Sequence, residues 1–499
     1  MKSHPCITVA LIVATASGLL AQAAPPIPRQ TPAETVTMEA FTVTGTNIKR
    51  LDQEKVLPVT VFNIEQIEIR NALTPVEMLT ALPQVTNIPL NESQNGGANS
   101  RGDNANVNLR GIGAGNTLVL LNGRRLAPHP VTSNDGGVPA FYANVNQLPT
   151  QGIERIDILR DGASAIYGSD AVAGVINYIS RRDLRGTELR YRWGVPEHGD
   201  GRNLQATLTS GREFAGGKGR WLSTFDFLQR DAIPYSSRSY TRSGDHTAQA
   251  PAGFNALGGS FDGRSAVSIY PSFRIGTATT ANFFRPLNGA LTFTTVSPTA
   301  NRAANPEFFT NLNQYQNTGQ SKSDRKNWFT HVEYDLTDRI TAFGDFSLYH
   351  SKSNLQRQPI QINAPGSDQF APISINNPFN PYGSRFYSAT GAPNADGTPR
   401  LTGTPQATTL VSVLLKDLGG ESVEVNSGVY RGVAGLRGKI LNDWTWESAA
   451  LYTRAYTGDV SNNAARESLF QKALMRTDNT AFNPFGYTFK VAGNAIVPD

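Results

Sequence analysis

The sequence predicts a small mixed α/β domain followed by antiparallel strands of a transmembrane β-barrel, with the barrel incomplete in this chain. Three observations predict it. Between residues 57 and 181, short apolar strands alternate with helix signals and turns. After Arg181 the helical period disappears, and aromatic segments alternate residue by residue between an apolar face and a wet one. Very short links join these segments on one side and very long polar links on the other, as in a barrel with tight turns on one rim.

Composition agrees. Charged residues make up 17% of the 499 positions, sparse beside the ~25% of a soluble domain. The net charge is +5, and the 45 Lys and Arg are scattered rather than striped, so nothing marks a nucleic-acid surface. One apolar run, 7–20, raises the question of a membrane helix. Lys2 precedes it and the small-x-small triplet Ala21-Gln22-Ala23 follows, so residues 1–23 read as a cleaved export signal. The single cysteine, Cys6, lies inside that segment. An exported mature chain without cysteine relies on its core and hydrogen bonds rather than disulfides, which fits a bacterial envelope.

Residues 24–56 form a flexible segment, Pro-rich over 24–33. Within it Glu34, Thr35, Val36, Thr37, Met38, Glu39, Ala40, Phe41, Thr42 and Val43 make a β-prone run with few anchors. Such a run offers its backbone to a partner's sheet edge, or else supplies the first strand of the next domain. In that domain 59–62 reads as a strand and 64–70 and 74–82 as short helices. Thr74 is placed to cap the second, Pro75 takes its first position, and Pro83 stops it. Residues 91–104 are a polar loop. A buried strand, 118–121, ends at Asn122-Gly123, a favoured two-residue turn. Residues 153–159 alternate apolar and charged groups, 163–167 make a helical turn or two, and 175–179 return to strand.

Beyond Arg181, Trp328, Thr330, Val332, Tyr334 and Leu336 alternate with Phe329, His331, Glu333 and Asp335. Seven to ten strands are expected, near 188–194, 203–210, 221–230, 325–336, 339–352, 423–440 and 444–457, with fainter candidates at 265–275 and 291–296. Trp221, Trp328, Trp444 and Trp446 read as interfacial girdle aromatics, or singly as core side chains. The long links 231–325 and 353–420 are expected to carry function. Their Asn- and aromatic-rich stretch 376–382, echoed at 483–486, suits either ligand stacking or rigid turns.

Catalytic patterns are absent. Gly111-Ile-Gly113-Ala-Gly115 precedes a strand former rather than the helix that a dinucleotide loop needs. His129, His198, His246, His331 and His350 are dispersed, and Ser164 has no nucleophile-elbow context. No enzyme, metal or cofactor is predicted.

Three blocks carry a resemblance. Val107-Asn-Leu-Arg110-Gly111 comes first, and Leu118-Val-Leu-Leu-Asn122-Gly123-Arg124 second. The third is Ile153-Glu154-Arg155-Ile-Asp-Ile-Leu-Arg160, continuing through Gly162, Ser164, Tyr167 and Gly168 to Gly174 and Asn177. In this order they resemble the plug domain of TonB-dependent outer-membrane receptors, with Asp161-Gly162 where the family form has Gly-Pro. The resemblance implies a 22-stranded barrel filled by the plug. It implies external loops that capture a scarce bulky nutrient, such as a ferric siderophore, with an oligosaccharide or cobalamin as alternatives. It also implies pulling by periplasmic TonB, energised by inner-membrane partners, and a place in outer-membrane lipid of a Gram-negative-type bacterium. Residues 34–43 then stand where a TonB box belongs. Arg110 and Arg160 are expected to face acidic residues of the barrel wall, or to be surface arginines that steady turns. Asn95, Asn99, Arg101 and Asn104 of the polar loop are expected to face the external ligand. A passive channel or export pore would need neither plug nor N-terminal segment. A full barrel needs roughly 500 residues beyond the plug, and the last residues, Asn494 to Asp499, are loop-like; the chain is therefore expected to be part of a longer gene product.

Overall fold

The computed structural model describes residues 59–79, 82–86, 104–131, 133–135, 138–252, 261–279, 281–287, 290–294, 308–315, 317–363, 371–440 and 444–499. The expectations for 1–23, for the run 34–43 and for Asn95, Asn99 and Arg101 fall outside them.

The small domain begins with β1 (Val59–Asn63), which leads directly into α1 (Ile64–Arg70). Asn63 caps the helix reciprocally. Its side chain accepts the Gln66 N–H at 3.0 Å, and the Gln66 side chain accepts the Asn63 N–H at 3.2 Å. The second expected helix shrinks to a 3₁₀ turn at Glu77–Leu79. The Glu77 carboxylate accepts the Leu73 N–H at 2.8 Å, tying the turn back to the chain before it.

The main sheet adds β2 (Thr117–Leu121), β3 (Arg124–Arg125), β4 (Ile153–Leu159) and β5 (Gly174–Ser180), with α2 (Ser164–Tyr167) between the last two. They form one sheet in the order β1-β4-β5-β2-β3. β5 and β2 pair in parallel, and the other neighbours are antiparallel. All five residues of β2 are buried, which is why its sequence reads as an unbroken apolar run.

Seven strands then build a wall: β6 (Gly186–Gly194), β7 (Asn203–Phe214), β8 (Gly219–Arg230), β9 (Lys322–Thr337), β10 (Ile340–Pro359), β11 (Gly420–Lys439) and β12 (Thr445–Asn462). Each pairs antiparallel with the next in chain order. Links from β7 to β8, β9 to β10 and β11 to β12 are short and share one rim; the links from β8 to β9 and β10 to β11 on the other rim are long.

The faces of this wall are inverted relative to a soluble sheet. On β9, Arg325, Asn327, His331 and Glu333 are buried, whereas Val332 and Leu336 are exposed. On β8, Thr224 and Asp226 are buried while Trp221 and Phe225 face outward. On β6, Leu189, Tyr191 and Trp193 are 73%, 68% and 65% exposed. Polar groups point inward because the small domain covers that face and supplies partners. A contiguous apolar and aromatic outer face is stable where the exterior is hydrocarbon rather than water.

The long links are more ordered than their polarity suggests. Ser272–Ile275, Asn282–Leu287, Ala290–Thr294, Gln361–Asn363, Ala371–Ile373 and Thr408–Leu414 form a second, six-stranded sheet. The fainter strand candidates at 265–275 and 291–296 overlap this sheet, not the wall. Phe273, Ile373, Phe386, Leu410, Leu474 and Phe485 give it an apolar core. Asn377 and Asn380 are fully buried and donate to the carbonyls of Leu474, at 2.8 Å, and Gln406, at 3.0 Å. Residues 376–382 run through a series of turns held by these buried amides.

Candidate functional site, the face between the small domain and the wall

The small domain does not rest on the wall as a separate body. Leu222 of β8 and Phe329 of β9 belong to the same buried cluster as Leu79, Leu109, Leu148 and Ile156. Around this shared core, among the described residues, lie three groups of polar contacts.

The first is built by the turn between β2 and β3. Asn122 and Gly123 have φ of 52° and 75°, the left-handed pair that a tight hairpin requires. The Asn122 side-chain oxygen accepts the Ser180 N–H at 3.0 Å and the Ser180 hydroxyl at 3.1 Å. Gly123 donates its N–H to the Asn177 side chain at 2.9 Å. With its oxygen so engaged, Asn122 turns its amide nitrogen to the wall, 3.3 Å from both carboxylate oxygens of Asp345 on β10. Beside it Arg431 of β11 donates to the Leu121 carbonyl at 3.4 Å. Arg124 pairs with Glu447 of β12 and lies 4.7 Å above the Phe343 ring.

Behind Asp345 stands a charged cluster on the wall. His331 Nδ1 lies 2.5 Å from Asp345, and its Nε2 lies 3.0 Å from Glu333. Glu333 also meets Arg437 at 2.7 Å and Arg182 at 3.5 Å. Arg431 stops 3.8 Å from Asp345. Desolvation offsets most of the Coulomb attraction in such buried pairs, so they fix the positions of these wall side chains more than they add stability.

The second contact is at Thr150, whose N–H and hydroxyl both donate to Asp226 of β8. Gln205 of β7 donates to the Thr150 hydroxyl at 3.1 Å and to the Leu73 carbonyl at 3.3 Å. Asn327 donates to the Gln147 carbonyl at 2.8 Å. The third joins β6 to α1, where Arg190 meets Glu68 and Arg192 meets the Asn71 carbonyl.

The residues singled out in the sequence fall into two groups. Asn122, Gly123 and Asn177 build the docking turn. The others shape the small domain itself. Gly111, with φ of 72°, follows Arg110, with φ of 60°, in a tight turn. Gly174, with φ of 144°, has no room for a side chain, because a Cβ would stand 2.4 Å from the Leu159 carbonyl oxygen. At Gly162 a Cβ would stand 3.2 Å from the Val172 carbonyl. Arg155 meets Glu154 at 3.2 Å and Asp157 at 3.1 Å on β4. Ser164 opens α2 and Gly168 closes it, and the Tyr167 carbonyl accepts from Arg125.

Two expectations need correction. Arg110 does not reach the wall; its guanidinium meets Asp161 at 2.5 Å inside the small domain, because both sit in facing turns. Arg160 is half-buried directly after β4. Asn104 is buried, 4% exposed, and bonded to the Tyr142 hydroxyl rather than presented on an open loop. Nearby, His129 stacks on Tyr142 with ring centroids 5.7 Å apart. Burial lowers the His129 pKa to about 4 and pushes the Tyr142 hydroxyl up to about 12. The wall partners Gln205, Asp226, His331, Asp345 and Arg431 were not singled out from sequence. Their signal is a polar or charged residue at the inward position of an otherwise apolar, alternating strand.

Residues 52–175 match the TonB-dependent Receptor Plug Domain family. Among solved structures, the chain is similar to the ferric enterobactin receptor PfeA from Pseudomonas aeruginosa, with 15% identity and a TM-score of 0.35 over 84% of this chain and 56% of that one. It is also similar to BauA, the ferric preacinetobactin receptor from Acinetobacter baumannii, with 12% identity and a TM-score of 0.36 over 82% and 48%. The copper transporter OprC gives 10% identity and a TM-score of 0.35 over 81% and 47%. The chain spans about half the length of these proteins. Residues 52–175 are therefore similar to a TonB-dependent receptor plug domain, and the strands that follow form an antiparallel wall against which that domain is docked, consistent with an incomplete barrel.

Proposed function

We propose that the protein is an energy-coupled outer-membrane receptor that imports a scarce bulky nutrient through a barrel stopped by its plug. The observation that carries this reading is the inverted wall, apolar toward its surroundings and polar toward a docked domain. A solute-filled pore needs no domain packed against its inner face. Around the shared apolar core the plug is held by polar contacts, which a pull can exchange for water at small net cost. Residues 1–23 direct export, and residues 34–43 pair with periplasmic TonB by strand addition. Ligand capture is assigned to the loop-side sheet together with Asn95, Asn99 and Arg101. A ferric siderophore is the first candidate cargo, in keeping with the ferric receptors among the similar structures; an oligosaccharide or cobalamin is the alternative.

The test is deletion of residues 34–43 in a cell that depends on this gene. Uptake of the labelled nutrient is expected to stop while capture at the cell surface persists. Unchanged uptake would contradict coupling through this segment. Growth on defined iron and carbon sources, with and without the gene, identifies the cargo.

A further inference from the structure

His331 is placed unlike any other histidine described in this protein. Its side chain is 5% exposed, and both ring nitrogens face carboxylates, Asp345 at 2.5 Å and Glu333 at 3.0 Å. A neutral imidazole has one donor and one lone pair, and a lone pair directed at a carboxylate oxygen is repulsive. The geometry is that of a ring donating on both sides. Asp345 is meanwhile contested. Arg431 Nη1 points at it from 3.8 Å and has no hydrogen-bond partner among the described residues. Both side chains are 1% exposed, so water does not blunt that attraction. Arg431 and Asn122 thus approach the same carboxylate from 3.8 Å and 3.3 Å.

We propose that His331 is a positioning residue that holds the Asp345 carboxylate in reach of Asn122, so that the wall presents a preset acceptor to the docked plug turn. The charged groups around it complete the device. Glu333 anchors the far side of the ring and is itself held by Arg437 and Arg182, while Arg431, restrained from collapsing onto Asp345, keeps a donor for the Leu121 carbonyl. Arg124 and Glu447 pair alongside without touching the ring. His331 thus acts on the plug only through Asp345 and Arg431. Its consequence for transport rests on the function proposed above, whereas docking itself is measurable without transport, so the two can fail separately.

Hydrogen exchange of the purified full chain in detergent tests it. The reporters are the amides of Asn122, bonded to the Tyr178 carbonyl, and of Gly123 and Ser180. His331→Ala is expected to speed their exchange about tenfold while the loop-side strand Thr408–Leu414 is unchanged. Asp345→Ala should do the same, and the double variant should be no faster than Asp345→Ala alone, because the histidine works through that carboxylate. Additive effects would show that His331 merely packs, and an unchanged rate in His331→Ala would overturn the proposal outright. Should His331→Ala fail to fold, His331→Gln, which offers one donor side instead of two, decides by the same comparison.

Discussion

At the scale of single residues, the docking turn depends on side chains whose roles differ although they sit close in sequence. Asn122 spends its oxygen inside the plug and its nitrogen on the wall, a division of labour only an amide in a left-handed conformation can provide. Gly174 is set by the absence of space rather than by a contact. Gly174→Ala is expected to destabilise the plug by about 2–4 kcal/mol, since strain and overpacking act together; denaturant titration of the variant checks this. His129 gives the plug a pH dependence with a definite sign. Its pKa falls from the ordinary 6.5 to about 4 on burial. Between those values the unfolded chain takes up a proton that the folded plug refuses, so stability is full above pH 6.5 and declines as pH falls toward 4. The loss reaches on the order of 3 kcal/mol. His129→Phe should preserve the stack on Tyr142 and flatten that slope, as measured by exchange of the surrounding amides at pH 7 and pH 4.5.

At the scale of elements, much was legible because strands write their faces into the sequence with period two. Trp328, Val332 and Leu336 announced one face of β9, and Asn122-Gly123 announced the hairpin. Two kinds of feature were not legible. One was the pairing of distant inward positions, since nothing local in Asp345 or Asp226 says that an asparagine or threonine of another domain will meet it. The other was the order within the long links, where Phe273, Leu410 and Phe485 are too far apart in sequence for any periodic signal to join them. Arg110 misled because a turn arginine and a wall-facing arginine look alike until the fold brings Asp161 to it. The outer face itself makes a prediction. Phe225→Arg is expected to cost roughly 2–4 kcal/mol of folding into lipid vesicles if it lies near the midplane. On a water-exposed sheet the same exchange would be close to neutral.

At the scale of the whole molecule, the plug and the seven wall strands form one polar-lined, apolar-skinned assembly, and everything proposed for its function depends on which face meets lipid. Chemistry of the cargo was not legible at all, because it belongs to no local pattern in the sequence. Orientation of the wall can be measured directly. The only cysteine is Cys6, so a Cys6→Ser background accepts single spin labels one at a time along 221–228 of β8 in a bilayer. Oxygen, concentrated in lipid, is expected to reach labels at Trp221, Ser223, Phe225 and Phe227, while labels at Leu222, Thr224, Asp226 and Leu228 stay shielded from both oxygen and a water-soluble nickel reagent. Nickel access at 225 and 227, or the loss of the two-residue period, would contradict a lipid-facing wall closed over a docked plug.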